Sequence, residues 1–345
     1  MRIAVVGGGL FGCTAAIHAA RAGHDVTLHE AKPELMSGAT AATYSRLHRG
    51  YHYPRSPATG RESRLAEASF RSEYGAAVID GGRQFYIVPP TGSLVSAKAY
   101  RAFLEREALP YTEMSGIFEV EEPRVNLAGL SVLVRQKVTD AGVQVHLGAP
   151  APKDLRARFD RVVVAAYSGL NGVLGELGFE PEPYKFQVVE RPVVLLHPSL
   201  KDTSIVVIDG PFGCIDPLDG TPAHVLGHVT ETVHAQNTGS YPKIPDNCIP
   251  VIDKGLIRSP KLSKYESVVD QLGRVLAVLG DAVHIGSSFT VRAVLANQEA
   301  TDRRPTLVRK HDDQVISVFS GKLGTAVRAA REVLGMIEER EAIAA

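Results

Sequence analysis

Blocks of apolar and polar positions in the first thirty residues predict a strand, a tight turn, a helix and a second strand. The mostly apolar run 2–6 leads directly into three consecutive glycines, and small, helix-compatible residues fill positions 13–22. Gly23 ends the predicted helix, and a second apolar stretch at 25–30 ends in an acid. This order of elements is typical of a parallel βαβ unit.

The glycine turn has the spacing of a dinucleotide-binding site. Gly7 permits the tight turn, Gly9 lets the backbone approach a pyrophosphate, and Gly12 lets the helix pack closely on the strand. The helix N-terminus offers N–H groups and the positive end of a dipole to phosphates. Glu30 stands where an acid accepts hydrogen bonds from a ribose, so a free 2′-hydroxyl fits better than the phosphate of NADP. The motif alone does not distinguish FAD from NAD.

Later segments predict a nucleotide-binding fold that an antiparallel sheet interrupts. A continuous apolar run at 160–166 is typical of a buried parallel strand. Between 183 and 235, short strands alternate with turn dipeptides such as Asp209-Gly210, which predicts hairpins. Near the C-terminus, a strand at 315–319 precedes a helix from 326 to about 341. Further helices are predicted at 61–75, 96–109, 126–141 and 260–280.

Composition excludes several classes of protein. The 345 residues are 44% apolar and 22% charged, as in an ordinary globular chain, and 38 basic residues balance 38 acidic ones. A neutral chain lacks the basic surplus of a general nucleic-acid-binding protein. No apolar stretch approaches the roughly 20 residues of a membrane span. Three scattered cysteines form no metal-binding spacing and indicate a reducing compartment, so we expect a cytoplasmic protein.

Three segments carry a resemblance to the FAD-dependent oxidoreductases of the D-amino-acid-oxidase superfamily. That superfamily includes glycine oxidase, sarcosine-oxidase-like enzymes and FAD-linked glycerol-3-phosphate dehydrogenase. The first segment is 7–30, described above. The second, 45–53 (SRLHRGYHY), is similar to the Ser…His-x-Gly-x-x-Tyr stretch that lies along the flavin in this superfamily. The third, 315–325 (VISVFSGKLGT), looks much like the C-terminal strand–Gly-Lys-Leu-Thr–helix segment of the glycerol-3-phosphate dehydrogenases.

The resemblance implies an α/β fold in which a discontinuous, Rossmann-like FAD-binding domain carries an inserted antiparallel-sheet substrate domain. The FAD-binding domain is expected at 1–80, 125–182 and 285–345, and the substrate domain at 81–124 and 183–284. FAD is expected to be bound noncovalently, and His48 is the residue that could instead carry a covalent bond. The implied cofactor-binding residues are Gly7, Gly9, Leu10, Phe11, Gly12, Glu30, Ser45, Arg46, Leu47, His48, Gly321, Lys322, Leu323, Gly324 and Thr325.

The resemblance also implies candidates for the chemistry. His48 is placed against the cofactor, where it could orient the ring or accept a proton from the substrate, since its ordinary pKa lies near neutrality. His52 and Tyr53 belong to the same polar-aromatic patch. Arg292 and Arg304 align with anion-binding arginines of the glycerol-3-phosphate dehydrogenases, and a guanidinium matches a carboxylate or a phosphate. The alternative for the arginines is ion pairing with Glu299 or Asp302.

Other histidines offer a weaker alternative, a metal site. His224 and His228 are evenly spaced on one predicted strand, and His234 follows. No carboxylate or cysteine completes a ligand set, so we expect no metal and regard these side chains as polar residues of the inserted sheet. The departure at 166–169, where Tyr167 replaces a small residue of the family pattern, is expected to alter packing beside the cofactor.

The implied function is an FAD-dependent oxidase or dehydrogenase. It oxidises a CH–NH or CH–OH group of a small, anionic substrate by hydride transfer to flavin N5, and O2 or another acceptor takes the electrons. Two alternatives stay open at this point. One is a sugar, polyol or hydroxy-acid dehydrogenase that acts on a biosynthetic intermediate, and the other is a non-catalytic NAD-binding protein. The oligomeric state does not follow from the chain.

Overall fold

The computed structural model describes residues 1–296 and 304–339, and within these ranges the chain forms seventeen strands and eight α-helices. The strands are β1 (Arg2–Val6), β2 (Asp25–Glu30), β3 (Val78–Ile79), β4 (Arg83–Ile87), β5 (Tyr111–Met114), β6 (Ile117–Val120), β7 (Arg124–Val125), β8 (Gln144–Leu147), β9 (Arg161–Val164), β10 (Tyr184–Leu195), β11 (Thr203–Val207), β12 (Gly213–Pro217), β13 (Ala223–His228), β14 (Val233–Gly239), β15 (Val283–Leu295), β16 (Leu307–Lys310) and β17 (Val315–Phe319). The helices are α1 (Leu10–Arg21), α2 (Pro57–Tyr74), α3 (Ala97–Arg106), α4 (Leu127–Asp140), α5 (Leu155–Arg158), α6 (Leu170–Glu176), α7 (Tyr265–Gly273) and α8 (Ala326–Glu338).

The first sheet has the strand order β16-β17-β9-β1-β2-β8 among the described residues. The five strands from β17 to β8 are parallel, and β16 pairs antiparallel with β17 at one edge. β1 and β9 are buried along almost their whole length, as their uninterrupted apolar runs require. Strands from the N-terminus, the middle and the C-terminus of the chain therefore meet in one sheet.

Helices cover one face of this sheet, and the second sheet covers the other. Ile17 of α1 and Val333 of α8 share a core with Leu28 of β2 on the helical face. On the opposite face, Val164 of β9 packs in a core that includes Val188 of β10. The apolar strands of the first sheet are thus buried on both sides, which fixes the two parts of the molecule against each other.

The second sheet has nine strands in the described part of the chain, and β10 is its organising element. β15 pairs antiparallel with β10 along its whole length, while the other edge of β10 pairs first with β14 and then with β13. β12, β11, β4, β6 and β5 extend the sheet from β13. α3 and α7 contribute to two further apolar cores of this part.

The predicted helix at 260–280 is wrong in extent. α7 spans only Tyr265–Gly273, and a separate 3₁₀ turn follows at Ala277–Leu279. The Ser263 hydroxyl donates to buried Glu190 and accepts the Tyr265 N–H at 3.1 Å, so the chain before Tyr265 is bound to the second sheet instead of continuing a helix. The predicted domain boundary at 285 falls within β15, and the division into domains stays a prediction. In the described residues, no helix combines the length and the apolar character required to cross a bilayer.

Candidate active site

A cavity of about 520 Å³ lies at the carboxyl ends of β1, β2, β9 and β17. Side chains and backbone from the segments that follow these four strands line it. The carboxyl edge of a parallel sheet is where α/β folds of this kind bind nucleotides. The predicted cofactor-binding residues that line the cavity are Gly7, Gly9, Leu10, Phe11, Glu30, Gly321, Lys322 and Leu323.

The glycine turn forms a cradle in which Gly7 and Gly12 leave no room for a side chain unless the backbone moves. Gly7 has a φ of +110°, and a Cβ there would lie 2.5 Å from the carbonyl oxygen of Ala165. A Cβ on Gly12 would lie 1.8 Å from the carbonyl oxygen of Gly7. α1 begins at Leu10 with Gly9 as its N-cap residue and no capping side chain on Gly9, although Thr40 Oγ1 accepts the Leu10 N–H at 3.3 Å. The backbone and dipole of this turn fit a pyrophosphate.

Glu30 has two roles at the rim of the cavity. Its carboxylate accepts the backbone N–H of Gly8 at 2.6 Å and that of Lys32 at 2.8 Å, so it holds the glycine turn against the end of β2. A carboxylate offers about four lone-pair sites, so it can still accept hydrogen bonds from ribose hydroxyls. The residues around the cavity therefore fit the adenosine diphosphate half of FAD.

An ion pair between Lys32 and Asp253 joins two loops that line the cavity. Lys32 follows β2. Asp253 lies between β14 and α7, and its backbone N–H donates to the carbonyl oxygen of Phe289 on β15 at 2.8 Å. We predict that Asp253→Asn raises the rate of FAD release about fivefold, because a partly exposed pair contributes up to about 1 kcal/mol. The recovery of flavin fluorescence after dilution measures this rate. Asp270→Asn, which breaks an exposed pair with Arg274, is the matched control and should leave the rate unchanged.

The C-terminal segment connects the cavity to the second motif. Lys322 lines the cavity, and its Nζ lies 4.2 Å from the centre of the Tyr53 ring, a cation–π contact. Gly324 lies against Leu47, since a Cβ on Gly324 would be 2.8 Å from Leu47 Cδ1. Thr325 Oγ1 donates to the carbonyl of Lys322 at 2.7 Å, and α8 begins only after this turn. The turn at 321–325 therefore precedes the last helix and faces the loop that carries His48.

His48, His52 and Tyr53 form a compact group, which we call the histidine cluster together with Tyr86 and Glu122. Ring centres within it lie 5.3 to 5.6 Å apart between His48, His52 and Tyr53. Glu122 Oε1 lies 3.4 Å from His48 Nδ1, and Glu122 Oε2 accepts the Tyr86 hydroxyl at 2.6 Å. The structure thus brings the three predicted residues together and adds two that were not predicted.

Burial and positive charge keep both histidines neutral. Burial lowers the pKa of His48, and although Glu122 opposes this shift, Lys322 and Arg46 reinforce it. The pKa of His52 lies well below its ordinary value because of burial and the charges of Arg46 and Lys322. Burial raises the pKa of Glu122, but His48, the Tyr86 hydroxyl and Arg46 outweigh it, so that carboxyl stays ionised. A neutral imidazole beside an ionised carboxylate is chemically able to accept a proton.

Arg46 and Ser45 lie behind the cluster instead of lining the cavity. Arg46 Nη2 lies 3.2 Å from Asp216 Oδ2 and donates to Cys214 Sγ at 3.3 Å. Its Nε and Nη1 are buried and make no hydrogen bond to the described residues. Burial lowers the pKa of Arg46, but Asp216 and other acidic neighbours raise it well above the usual range. Ser45 Oγ donates to the carbonyl of Pro217 at 3.5 Å.

Three arginines gather beside the cavity, and we call Arg191, Arg292 and Arg304 the arginine group. Arg292 Nε donates to Gln187 Oε1 at 3.0 Å, and within the described ranges no carboxylate lies within ion-pair distance of Arg292. Burial and then repulsion from Arg304 and Arg191 lower the pKa of Arg292 to about 10. Arg191 stacks on the Tyr44 ring at 4.2 Å. Glu299 and Asp302, the predicted alternative partners, lie outside the described residues.

The histidines of the predicted metal alternative have protein partners. His224 Nε2 donates to the carbonyl of Leu200 at 3.1 Å, and His228 Nδ1 accepts the N–H of Glu231 at 3.1 Å. His234 Nε2 lies 2.8 Å from Glu190. Within 1–296 and 304–339, no group of three metal-ligating side chains forms.

Comparison with known proteins identifies the family. Residues 2–208, more than half of the chain, match the profile of the DAO family, described as FAD dependent oxidoreductase. The chain belongs to this family. The resemblance predicted from the three motifs is therefore confirmed, and the chain is an FAD-dependent oxidoreductase with FAD as its cofactor. This assignment decides against the non-catalytic NAD-binding alternative.

Individual relatives are distant. The FAD-dependent monooxygenase kojA of Aspergillus flavus is 24% identical, over 98% of this chain and 86% of that protein. The structure of glycine oxidase from Geobacillus kaustophilus superposes with a TM-score of 0.72 at 13% identity, covering 98% of this chain and 95% of that chain. L-amino acid deaminase from Proteus vulgaris superposes with a TM-score of 0.71 at 9% identity, covering 98% and 93%. These superpositions confirm the predicted fold class.

Sequence reasoning missed Glu122, Tyr86 and Arg191. Glu122 stands in a short loop between β6 and β7, where the dipeptide Glu121-Glu122 resembles any solvated acidic turn. Arg191 interrupts the apolar run of β10, and a charge within a buried strand is the one local sign that could have marked it. The roles of all predicted site residues remain predictions.

Proposed function

We propose that the chain oxidises a CH–NH or CH–OH carbon of a small anionic substrate bound beside the cavity. Arg292 carries this proposal, because it is a cation close to other cations with no carboxylate partner among the described residues. A half-buried charge without a carboxylate partner is costly, so its presence favours an anionic ligand. When bound, FAD supplies the acceptor for the hydride that leaves the substrate carbon.

The residues of the chain have separate tasks in this proposal. Arg292, supported by Arg304, binds the anionic group and orients the carbon that is oxidised. His48, which is neutral, accepts the proton of the substrate N–H or O–H. Lys322 places a positive charge between the cavity and the histidine cluster. There it would stabilise the negative charge that a bound flavin gains on reduction.

The first test is the visible absorption spectrum of the purified protein before and after denaturation and filtration. A flavin spectrum with colour that passes the filter is expected, since FAD is proposed to be noncovalent. Colour that stays with the protein would instead indicate a covalent bond, with His48 as the candidate. Anaerobic bleaching by amino acids, hydroxy acids and their neutral amides then tests the substrate class. Bleaching by the amides as fast as by the acids would contradict the anionic substrate.

A second candidate function is monooxygenation, because the relative kojA is an FAD-dependent monooxygenase. An oxidase releases one hydrogen peroxide per substrate oxidised and needs no other reductant. A monooxygenase incorporates an oxygen atom from O2 into the product and consumes an external two-electron reductant such as a nicotinamide cofactor. Turnover under labelled O2 distinguishes these reactions, because only the second places the label in the product. We expect peroxide without incorporated label.

A further inference from the structure

Glu122 is a buried carboxylate whose ion-pair partner is a histidine, an environment that it shares with Glu190 and that differs from that of Asp216 and Asp219. Its side chain is 0% exposed, and the ion pairs of the described residues give it one partner, His48. Asp216 and Asp219, by comparison, are each paired with a buried arginine, Arg46 and Arg124 respectively. A buried acid that faces a titratable imidazole in place of a permanent cation points to a role in setting the state of that imidazole.

Two donors hold the Glu122 carboxylate in place and ionised. The Tyr86 hydroxyl donates to Oε2 at 2.6 Å, and the Arg49 backbone N–H donates to Oε1 at 2.9 Å. Because Tyr86 lies on β4 and Arg49 lies in the loop before α2, the carboxylate is fixed from both the second sheet and the loop that carries His48. His48 Nδ1 lies 3.4 Å from the carboxylate, which is within ion-pair distance, but it makes no hydrogen bond to the described residues.

The charged and titratable groups around His48 come from three directions. Glu122 faces Nδ1, Lys322 approaches from the C-terminal segment, and Arg46 lies on the same loop. His52 and Tyr53 contact the ring from the same loop. The two cations oppose a third positive charge, so the imidazole is neutral and carries one N–H. An ionised carboxylate only accepts hydrogen bonds, so the tautomer that fits it has the proton on Nδ1.

We propose that Glu122 is a positioning residue that holds His48 in the Nδ1–H tautomer and leaves Nε2 as the proton-accepting atom. This inference rests on the proposed function, in which the substrate N–H or O–H proton passes to His48 while the hydride leaves the neighbouring carbon for FAD. Glu122 takes no proton itself and touches no substrate. Its effect is to keep the lone pair of His48 on the ring nitrogen that points away from the carboxylate.

The experiment is ¹⁵N NMR of histidine-labelled, flavin-containing protein, with the His48 signals identified by their absence in His48→Gln. The wild-type protein is expected to show His48 protonated at Nδ1 and unprotonated at Nε2. In Glu122→Gln, the amide can donate to Nδ1, so we expect the Nε2–H tautomer to appear and the pKa of His48 to fall further. A wild-type His48 protonated at Nε2, or the same tautomer in both proteins, would overturn the proposal.

Tyr86→Phe separates a positioning role from a structural one. It removes a donor from the carboxylate but keeps its charge, so the Nδ1–H tautomer should persist and the pKa of His48 should rise or stay unchanged. A purely structural role of Glu122 predicts the same disturbance in both variants, and that result would also overturn the proposal. If Glu122→Gln does not fold, the tautomer of His48 in the wild-type protein and in Tyr86→Phe still tests the proposal, and an Nε2–H tautomer in either would overturn it.

Stopped-flow reduction distinguishes failure of this inference from failure of the proposed function. In Glu122→Gln, the limiting rate of flavin reduction at neutral pH should fall about 100-fold, the usual contribution of a general base, with little change in substrate affinity. A changed tautomer with an unchanged rate would remove His48 as the base in the proposed function and leave the positioning of His48 by Glu122 in place. An unchanged tautomer contradicts the inference whatever the rate.

Discussion

Gly12→Ala is expected to yield a protein that retains no FAD. The added Cβ would lie 1.8 Å from the carbonyl oxygen of Gly7, a backbone atom that cannot rotate away as a side chain can. Relief of this clash requires α1 to move from β1, which displaces the glycine turn and the N-terminus of the helix together. We expect the free energy of unfolding to fall by about 3 kcal/mol, the upper end of the usual range for overpacking.

The measurement combines the flavin-to-protein absorbance ratio with the melting temperature of the protein. Gly335→Ala is the matched control, because Gly335 also lies in a helix and an added Cβ there meets nothing within 4 Å. That control should keep its FAD and gain up to about 1 kcal/mol of stability, since alanine favours a helix more than glycine does. Wild-type FAD content in Gly12→Ala would contradict the role given to the glycine cradle.

The cradle was predictable from sequence because all of its determinants are local. Gly7, Gly12 and Glu30 lie within one strand–turn–helix–strand unit, where the sequence spacing fixes their positions in space. The same holds for the turn at 321–325, which stands between a strand and a helix. Local patterns of this kind predict both the fold of the first sheet and the position of the cavity at its edge.

The partners of His48 were not predictable in this way. Glu122 reaches His48 because β4 pairs with β6 and brings the loop after β6 over the loop before α2. No periodicity in the sequence specifies that pairing. Similarly, Arg292 faces Gln187 only through the register of β10 and β15, two strands about a hundred positions apart in the chain.

The helix predicted at 260–280 shows that secondary structure, too, can depend on contacts between residues distant in the chain. Its composition is compatible with a helix throughout, but Ser263 and the N–H of Lys264 bind Glu190 of β10. A buried carboxylate needs these donors, so a tertiary requirement outweighs the local preference. Sequence patterns therefore predict the elements and the dinucleotide site here, whereas contacts between distant strands determine the chemistry beside it.

Arg292→Gln is expected to raise the KM for the anionic substrate about 100-fold and, at the same time, to stabilise the protein. A hydrogen bond to a charged group contributes about 1.5–3 kcal/mol, which corresponds to roughly tenfold to 100-fold in affinity, and the bidentate pairing of a guanidinium with a carboxylate lies at the upper end. The glutamine amide can still donate to Gln187 Oε1, so that buried oxygen need not lose its partner. Steady-state kinetics with the acid and with its neutral amide measure the first effect, and the amide should be almost unaffected.

The stability of Arg292→Gln tests why an arginine stands at this position. Arg292 is repelled by Arg191 and Arg304 and has no carboxylate partner in the described part of the chain, so removal of its charge should raise the free energy of unfolding by about 1 kcal/mol. Arg124→Gln is the matched control, because Arg124 is only 2% exposed but lies 2.9 Å from Asp219, and its loss should destabilise the protein by about 3 kcal/mol. Opposite shifts in the melting temperatures of these two variants would mark Arg292 as a residue kept for binding at the expense of stability. An unchanged KM together with a lower melting temperature would show instead that Arg292 is a structural residue.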